Sequence, residues 1–360
     1  MKIVILGLSI TSSWGNGHAT TYRGLVRELA ARGQDVLFLE RDVPWYASNR
    51  DLPQPPFGRT ELYGSLDELH AFEKEIRYAD CLIVGSYVPE GVEVGGWVLD
   101  KARGVTAFYD IDTPVTLSKL SLGHNEYLSP ELIPRFDLYL SFTGGPILDL
   151  IEEKHGARAA RALYCSADET IYFPEAAEVR WDLGYMGTYS EDRQPALERL
   201  LIEPARRLPK MKFVVAGPQF PGTVDWPINV ERIEHLPPSS HRRFYNSQRF
   251  TLNVTRLNMV CAGYSPSVRL FEAGACGVPV ISDRWDGIDT FFRPAIEIAL
   301  CDTSDDVVDV LERTSEVSRL TMGLLARQRV LKGHTAAHRA AELERYINEV
   351  RGVEAYSLAA

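Results

Sequence analysis

The feature that most constrains this chain is an alternation of short apolar runs with helix-length segments. Ile3–Leu8 reads as a strand with no polar face. Ala19–Arg32 predicts a helix whose Leu25, Val26, Leu29 and Ala30 form one apolar stripe, with Gly33 as its stop signal. Val36–Glu40, Cys81–Gly85, Val105–Tyr109 and Leu138–Phe142 read as further strands, with Leu66–Tyr78 and Gly95–Ala102 suited to helices between them. Strands that are apolar on both faces need cover on both sides, which a doubly wound parallel sheet with crossover helices supplies.

The pattern then restarts. Tyr185–Gly187 leads into a helical Gln194–Arg207, and Lys212–Gly217, Phe250–Val254 and Val278–Ser282 are strand-like, with a helix at Ser267–Ala275. Ser304–Val350 reads as mostly helical and charged. At 360 residues the chain also exceeds what one core usually covers. The expected fold class is therefore α/β, with two doubly wound Rossmann-like domains facing across a cleft. Their bounds are 1–168, a linker at 169–182, then 183–334, with C-terminal helices at 335–360. Ligands of such sheets bind beyond the carboxyl ends of the strands.

Composition narrows the partners. The 39 basic and 49 acidic residues leave a formal charge of −10, which argues against nucleic acid as a ligand. A local basic cluster can still hold a small anion. Five scattered cysteines with no Cys-x-x-Cys pair give neither a disulfide framework nor a zinc site, and suit a reducing, cytoplasmic setting. The apolar start runs into Ser12-Ser13-Trp14-Gly15-Asn16-Gly17, which reads as a buried strand meeting a glycine loop rather than a signal peptide. No apolar stretch approaches the length of a spanning helix.

Three constellations carry chemistry. In Gly15-Asn16-Gly17-His18, Gly15 and Gly17 let backbone approach a ligand, and His18 at the helix start can act as general base on a hydroxyl. The alternative is that His18 caps the helix or packs under the loop. The spacing is no dinucleotide fingerprint, since Thr20 stands where a third glycine would be. In Asp110-Ile111-Asp112-Thr113-Pro114, the carboxylates can hold a metal carrying a diphosphate, accept a proton or bind a sugar hydroxyl, or simply form an Asx turn. A ligand role without metal is the expectation here. The third is Gly263 to Asp283, read as loop, helix, turn and strand, with Ser265 or Ser267 as helix cap. Arg269 can clamp a diphosphate and Glu272 can accept both ribose hydroxyls; the plain alternative is a surface ion pair between them. Gly187, Arg193, Gly217, His235 and Arg256 fall at strand ends or in the following loops, where the arginines can concentrate positive charge.

These residues resemble the GT-B glycosyltransferases, and among them the CgeB-like group named after a spore-maturation protein. The likeness is strongest over 187–295, in Gly187–Arg193, Leu252-Asn253-Val254-Thr255-Arg256 and Ser265-Pro266-Ser267-Val268-Arg269-Leu270-Phe271-Glu272-Ala273. Asp110–Thr116 and Cys165-Ser166-Ala167-Asp168 look like the same group. The block from Phe271 to Val280 is similar to the donor-binding block of retaining GT-B transferases. There, a Glu, seven residues and a second Glu hold the sugar nucleotide. Glu272 falls on the second Glu, implied to bind the ribose, while the first falls on Tyr264 and is absent. A glycine loop ending in His, as at His18, occurs in inverting relatives, so the resemblance points to both stereochemical outcomes.

It implies a GT-B architecture and a metal-independent hexosyltransferase with no cofactor. Its donor would be a UDP-, GDP- or dTDP-linked sugar and its acceptor a small molecule, glycan or protein. The first domain would bind the acceptor and the second the nucleotide, and the last helices would cross back to the first domain. His18, with Asp112 beside it, would take the acceptor proton. Gly15, Gly17, Gly187, Arg193, Gly217, Arg256, Ser267, Arg269 and Glu272 would line the donor and loop contacts. A nucleotide-sugar epimerase or a non-catalytic two-domain binding protein are the rival readings.

Overall fold

A computed structural model describes residues 1–352, and it divides into two compact units. One is Met1–Cys165 together with the chain from Ala336; the other is Ser166–Thr335. The end of the expected C-terminal helical segment, 353–360, lies outside the described residues.

The first unit carries seven parallel strands: β1 (Lys2–Gly7), β2 (Asp35–Arg41), β3 (Arg59–Tyr63), β4 (Cys81–Gly85), β5 (Val105–Asp110), β6 (Leu138–Ser141) and β7 (Ala160–Ala162). Their order is β3-β2-β1-β4-β5-β6-β7, which reverses direction between β1 and β4. Ile3 to Leu6, Phe38 and Leu82 to Val84 are buried in the middle of this sheet, as their unbroken apolar runs demand. The helix His18–Ala31 buries Leu25, Val26 and Leu29 against it. The helix Ala336–Val350 belongs to this unit: Glu344 accepts from Arg32 at 2.6 Å and Gln34 at 2.5 Å, and the Tyr346 hydroxyl donates to the Ala162 carbonyl.

The second unit carries β8 (Trp181–Met186), β9 (Phe213–Ala216), β10 (Val230–Ile233), β11 (Gln248–Asn253), β12 (Val280–Ser282) and β13 (Ala299–Leu300), again all parallel. The order β10-β9-β8-β11-β12-β13 reverses between β8 and β11. Leu183, Phe213, Val215, Phe250, Leu252 and Ile281 fill its core. Truncating one of these, Phe213→Ala for example, should cost about 3–5 kcal/mol through lost burial and the cavity left behind.

The differences from the pattern reading have local causes. β3 and β10 lie at sheet edges with polar, half-exposed sequences, so no apolar run marks them. Leu66–Tyr78 is two short helices, Leu66–His70 and Glu73–Arg77. β8 begins at Trp181, taking Trp181 and Asp182 out of the linker and into the sheet. The Gln194–Arg207 helix widens to a π turn at Glu198–Ile202, just ahead of Pro204, which has no N–H to offer a regular ladder.

Candidate active site

In the first unit, the loop after β1 and the segments after β4, β5 and β6 all leave the carboxyl edge of the parallel sheet, whose order reverses between β1 and β4. Gly15 has φ +61° on an exposed turn, a conformation that favours glycine. Gly17 is exposed with open space where a Cβ would stand. His18 opens its helix, half-buried, with its ring edge-on to Phe142 at 5.7 Å and its backbone N–H donating to Asn16 Oδ1 at 3.1 Å.

Asp112 immediately precedes the helix Thr113–Ser121 without capping it. Its carboxylate accepts the Tyr87 hydroxyl at 2.8 Å, and burial, with the Asp112 charge adding to it, holds the Tyr87 hydroxyl well above its ordinary pKa. Asp110 is fully buried and accepts from Tyr139 at 2.5 Å, from Thr116 at 2.8 Å and from the Asp112 N–H at 3.2 Å. Burial pushes its carboxyl up to about 6, with those bonds pulling the other way. Of the two acids, Asp110 is enclosed in the structure of the turn, while Asp112 is placed at its lip.

The second unit gathers most of its predicted residues around Asn253, the last residue of β11. Its Oδ1 accepts from Ser267 Oγ at 2.8 Å and from Arg269 Nη1 at 2.7 Å; its Nδ2 donates to Ser282 Oγ at 2.9 Å. Ser267 is thus the residue before the helix Val268–Ala275, yet its hydroxyl turns to Asn253 and no side chain caps the helix. The first-turn N–H groups and the helix dipole therefore face the same edge as the arginines. Arg269 Nε donates to the Met186 carbonyl at 2.8 Å, and its guanidinium lies 4.8 Å over the Tyr185 ring.

Gly187 and Gly217 make room for this. A Cβ on Gly217 would meet the Gly187 carbonyl oxygen at 2.0 Å, and one on Gly187 would stand 3.1 Å from Arg269 Nη2. Two strand-end loops can therefore approach each other beside a guanidinium only because neither carries a side chain there.

Arg193 donates from Nη2 to the Thr188 carbonyl at 2.7 Å, while its buried Nε has no partner. Burial holds its pKa below the ordinary value, and repulsion from Arg269 and Arg256 adds to that. Arg256 Nε is 3.8 Å from Asp192 Oδ2. Behind them Asp283 accepts from Thr255 and Ser282, and burial raises its pKa despite those bonds. Arg193, buried and repelled by both Arg256 and Arg269, with Tyr185 and Asp192 acting the other way, sits in a setting that a doubly charged anion relieves.

Glu272 is only 2% exposed and accepts the Tyr245 hydroxyl at 3.0 Å. Arg269, too, is buried, so the two are not a surface ion pair. Sequence reasoning placed Asn16 and Asn253 within candidate motifs without giving either a role of its own, and it passed over Glu40 and Tyr87. The available signal was their place, each at a strand end or in the loop that follows. Among the described residues, no group of three or more His, Cys, Asp or Glu side chains is arranged to hold a metal ion. Among the described residues no helix is long and apolar enough to cross a membrane.

Residues 193–345 match the model of a family described as glycosyl transferase-like. No curated protein sequence matches the chain. Among solved structures, the chain is similar to Anabaena HepE in complex with UDP and glucose, with a TM-score of 0.73 at 14% identity over 97% of this chain and 100% of that one. Sucrose-phosphate synthase from Thermosynechococcus elongatus gives 0.68 at 14% identity over 98% and 100%. An alpha-glucosyltransferase in complex with UDP and a 13-mer DNA gives 0.70 at 15% identity over 97% and 99%. Residues 193–345 thus carry a glycosyl transferase-like pattern, in a chain with the α/β fold of the GT-B glycosyltransferases.

Proposed function

We propose that this protein moves a hexosyl group from a nucleoside-diphosphate sugar to an acceptor hydroxyl, without a metal, as a member of the CgeB-like group. The observation that carries the reading is the cluster of Arg193, Arg256 and Arg269 beside the uncapped helix start at Ser267. As the bond to the sugar breaks, charge builds on the leaving diphosphate. Fixed guanidinium groups and helix N–H donors stabilise that charge in the way a divalent cation would otherwise do. Glu272 would bind the ribose, and Gly187 and Gly217 would admit the diphosphate close to backbone. UDP is the first nucleotide to test, because it is bound in HepE and in the alpha-glucosyltransferase; GDP and dTDP follow.

The N-terminal unit would bind the acceptor, a small molecule, glycan or protein, with His18 removing the proton from its hydroxyl and Asp112, which accepts the Tyr87 hydroxyl, in the role of orienting His18. Gly15 and Gly17 would count with the donor-binding residues, letting ligand come close to the backbone of the loop. The proposed setting is the cytoplasm, supported by five free thiols, four of them buried.

Isothermal titration with UDP, GDP and dTDP tests the reading. Binding of at least one, undiminished by EDTA, is expected; binding of none would sink it. A donor screen read by product mass then separates glycoside formation from epimerisation, which leaves the mass of the sugar nucleotide unchanged.

A further inference from the structure

Glu40 is the sixth of the seven residues of β2 and is fully buried. In Rossmann domains that hold a dinucleotide, an acid near the end of this strand reaches the ribose hydroxyls. Here its two oxygens are already occupied by the loop after β1. Oε1 accepts from Ser9 Oγ at 2.9 Å and Thr11 Oγ1 at 2.6 Å; Oε2 accepts from the Ile10 and Thr11 N–H groups at 2.7 and 3.0 Å. The contacts continue to His18. The Ser9 carbonyl accepts the Asn16 amide at 3.3 Å, and Asn16 Oδ1 accepts the His18 N–H at 3.1 Å. Asn16 is itself buried, while Gly15 and Gly17 on either side are exposed.

A carboxylate is the one side chain that can take two N–H and two O–H donors from a single tight loop; an amide has one acceptor oxygen and brings a donor of its own. The loop's other side is tied separately. Arg23 Nε donates to the Ile10 carbonyl at 2.8 Å, and Asp51 accepts from the Ser13 N–H at 2.8 Å and from Arg23. The 49–52 segment holds the same side, Arg50 Nε donating to Thr11 Oγ1 at 3.1 Å and the Leu52 N–H to the Thr11 carbonyl at 3.0 Å. Glu40 is the group that gathers four donors from the loop on its inner side, and Asn16 passes its position to the start of the helix.

We propose that Glu40 is a positioning residue: it sets the β1 loop and, through Ser9 and Asn16, the place of the His18 ring, and it is thereby withdrawn from any ribose. The inference rests on the glycosyltransferase reading with His18 as base.

The test is a double-mutant cycle on the full chain, using UDP and whichever sugar donor the screen finds active. Glu40→Gln should lower kcat about a hundredfold, the size expected of a misplaced catalytic group, with donor KM and UDP affinity within about twofold of the parent. Combined with His18→Ala, it should cost nothing more than His18→Ala alone, because both act through one group. Losses that multiply in the combined variant would overturn the positioning role while leaving His18 as base. Full activity in His18→Ala alone would instead overturn the base assignment. Should Glu40→Gln fail to fold, as judged by its melting curve, Asn16→Ala breaks the next link of the same path. The same non-additivity with His18→Ala is expected of it, and multiplying losses would count equally against the proposal.

Discussion

Arg269 and Asn253 are joined by a 2.7 Å bond from guanidinium Nη1 to the amide Oδ1, which fixes the helix Val268–Ala275 to the end of β11. The second donor from Arg269, Nε to the Met186 carbonyl, ties the same guanidinium to the end of β8. One planar fork thereby spans the two strands between which the sheet reverses direction. Lysine has the charge but not the fork. Arg269→Lys should therefore weaken UDP binding about 10- to 100-fold, the loss of one or two charge-assisted bonds. Titration calorimetry checks this, and unchanged affinity would remove Arg269 from the nucleotide site.

Glu272 offers a separate test of the ribose assignment. Glu272→Ala should weaken nucleotide binding and also leave the buried Tyr245 hydroxyl without its acceptor, at about 1–3 kcal/mol of stability. Tyr245→Phe removes the donor and keeps the carboxylate, so stability should fall by about 1 kcal/mol with affinity nearly intact. Urea unfolding and titration of both variants separate the two effects. If Glu272→Ala bound UDP as tightly as the parent, Glu272 would be a core residue only.

The central strands of both sheets were legible because burial on both faces requires unbroken apolar runs, as in Ile3–Leu6 and Leu252. The edge strands were not. Arg59–Tyr63 and Val230–Ile233 are half in water, and their sequences carry no period that separates them from loop. In the site, the arginines and glycines announced themselves by residue type at strand ends. What joins them did not. Asn253 is an ordinary polar residue in sequence, and its role arises only when β11, β12 and the helix after Ser267 converge on it. Glu40 stands at the end of a strand legible in the sequence, yet its role is not local, since its partners lie about thirty positions away in the chain.

His18 is tested most directly by removal. His18→Ala should reduce transfer by about 100- to 10,000-fold, the range of general-base contributions. UDP affinity should stay within about twofold, because the arginine cluster is untouched. Turnover equal to the parent would exclude His18 as the base.

Asp110 gives a prediction in pH. Its carboxyl is raised from the ordinary 3.8 to about 6 in the folded unit, chiefly by burial. The folded state therefore holds the proton that the unfolded chain releases earlier. Stability from this group is fully present below about pH 4 and is lost as pH rises through about 6, by roughly 3 kcal/mol in all. Asp110→Asn cannot titrate, so the stability difference between parent and variant should move against the parent between pH 4 and 7. Urea unfolding at intervals of half a pH unit measures it. Parallel pH profiles would mean that the Tyr139 and Thr116 bonds keep Asp110 at its ordinary value.

Arg193 is the most constrained of the three cations. Its Nε is buried without a partner, and its charge is opposed by burial and by Arg256 and Arg269. An anion carrying two phosphates removes both costs together, so inorganic pyrophosphate alone should raise the melting temperature by a few degrees. At a hundredfold excess over its Kd the gain is about 2.7 kcal/mol. The gain should shrink as NaCl is raised, since salt screens the attraction that draws the anion in. Arg193→Met keeps most of the apolar stem and deletes the charge. Its ligand-free melting point should match or exceed the parent's, because a buried charge repelled by two others is gone at the cost of one bond to the Thr188 carbonyl, and its response to pyrophosphate should be smaller. A lower ligand-free melting point together with a full pyrophosphate response would show the opposite: that Arg193 is a packing residue and the anion is held by Arg256, Arg269 and the helix start without it.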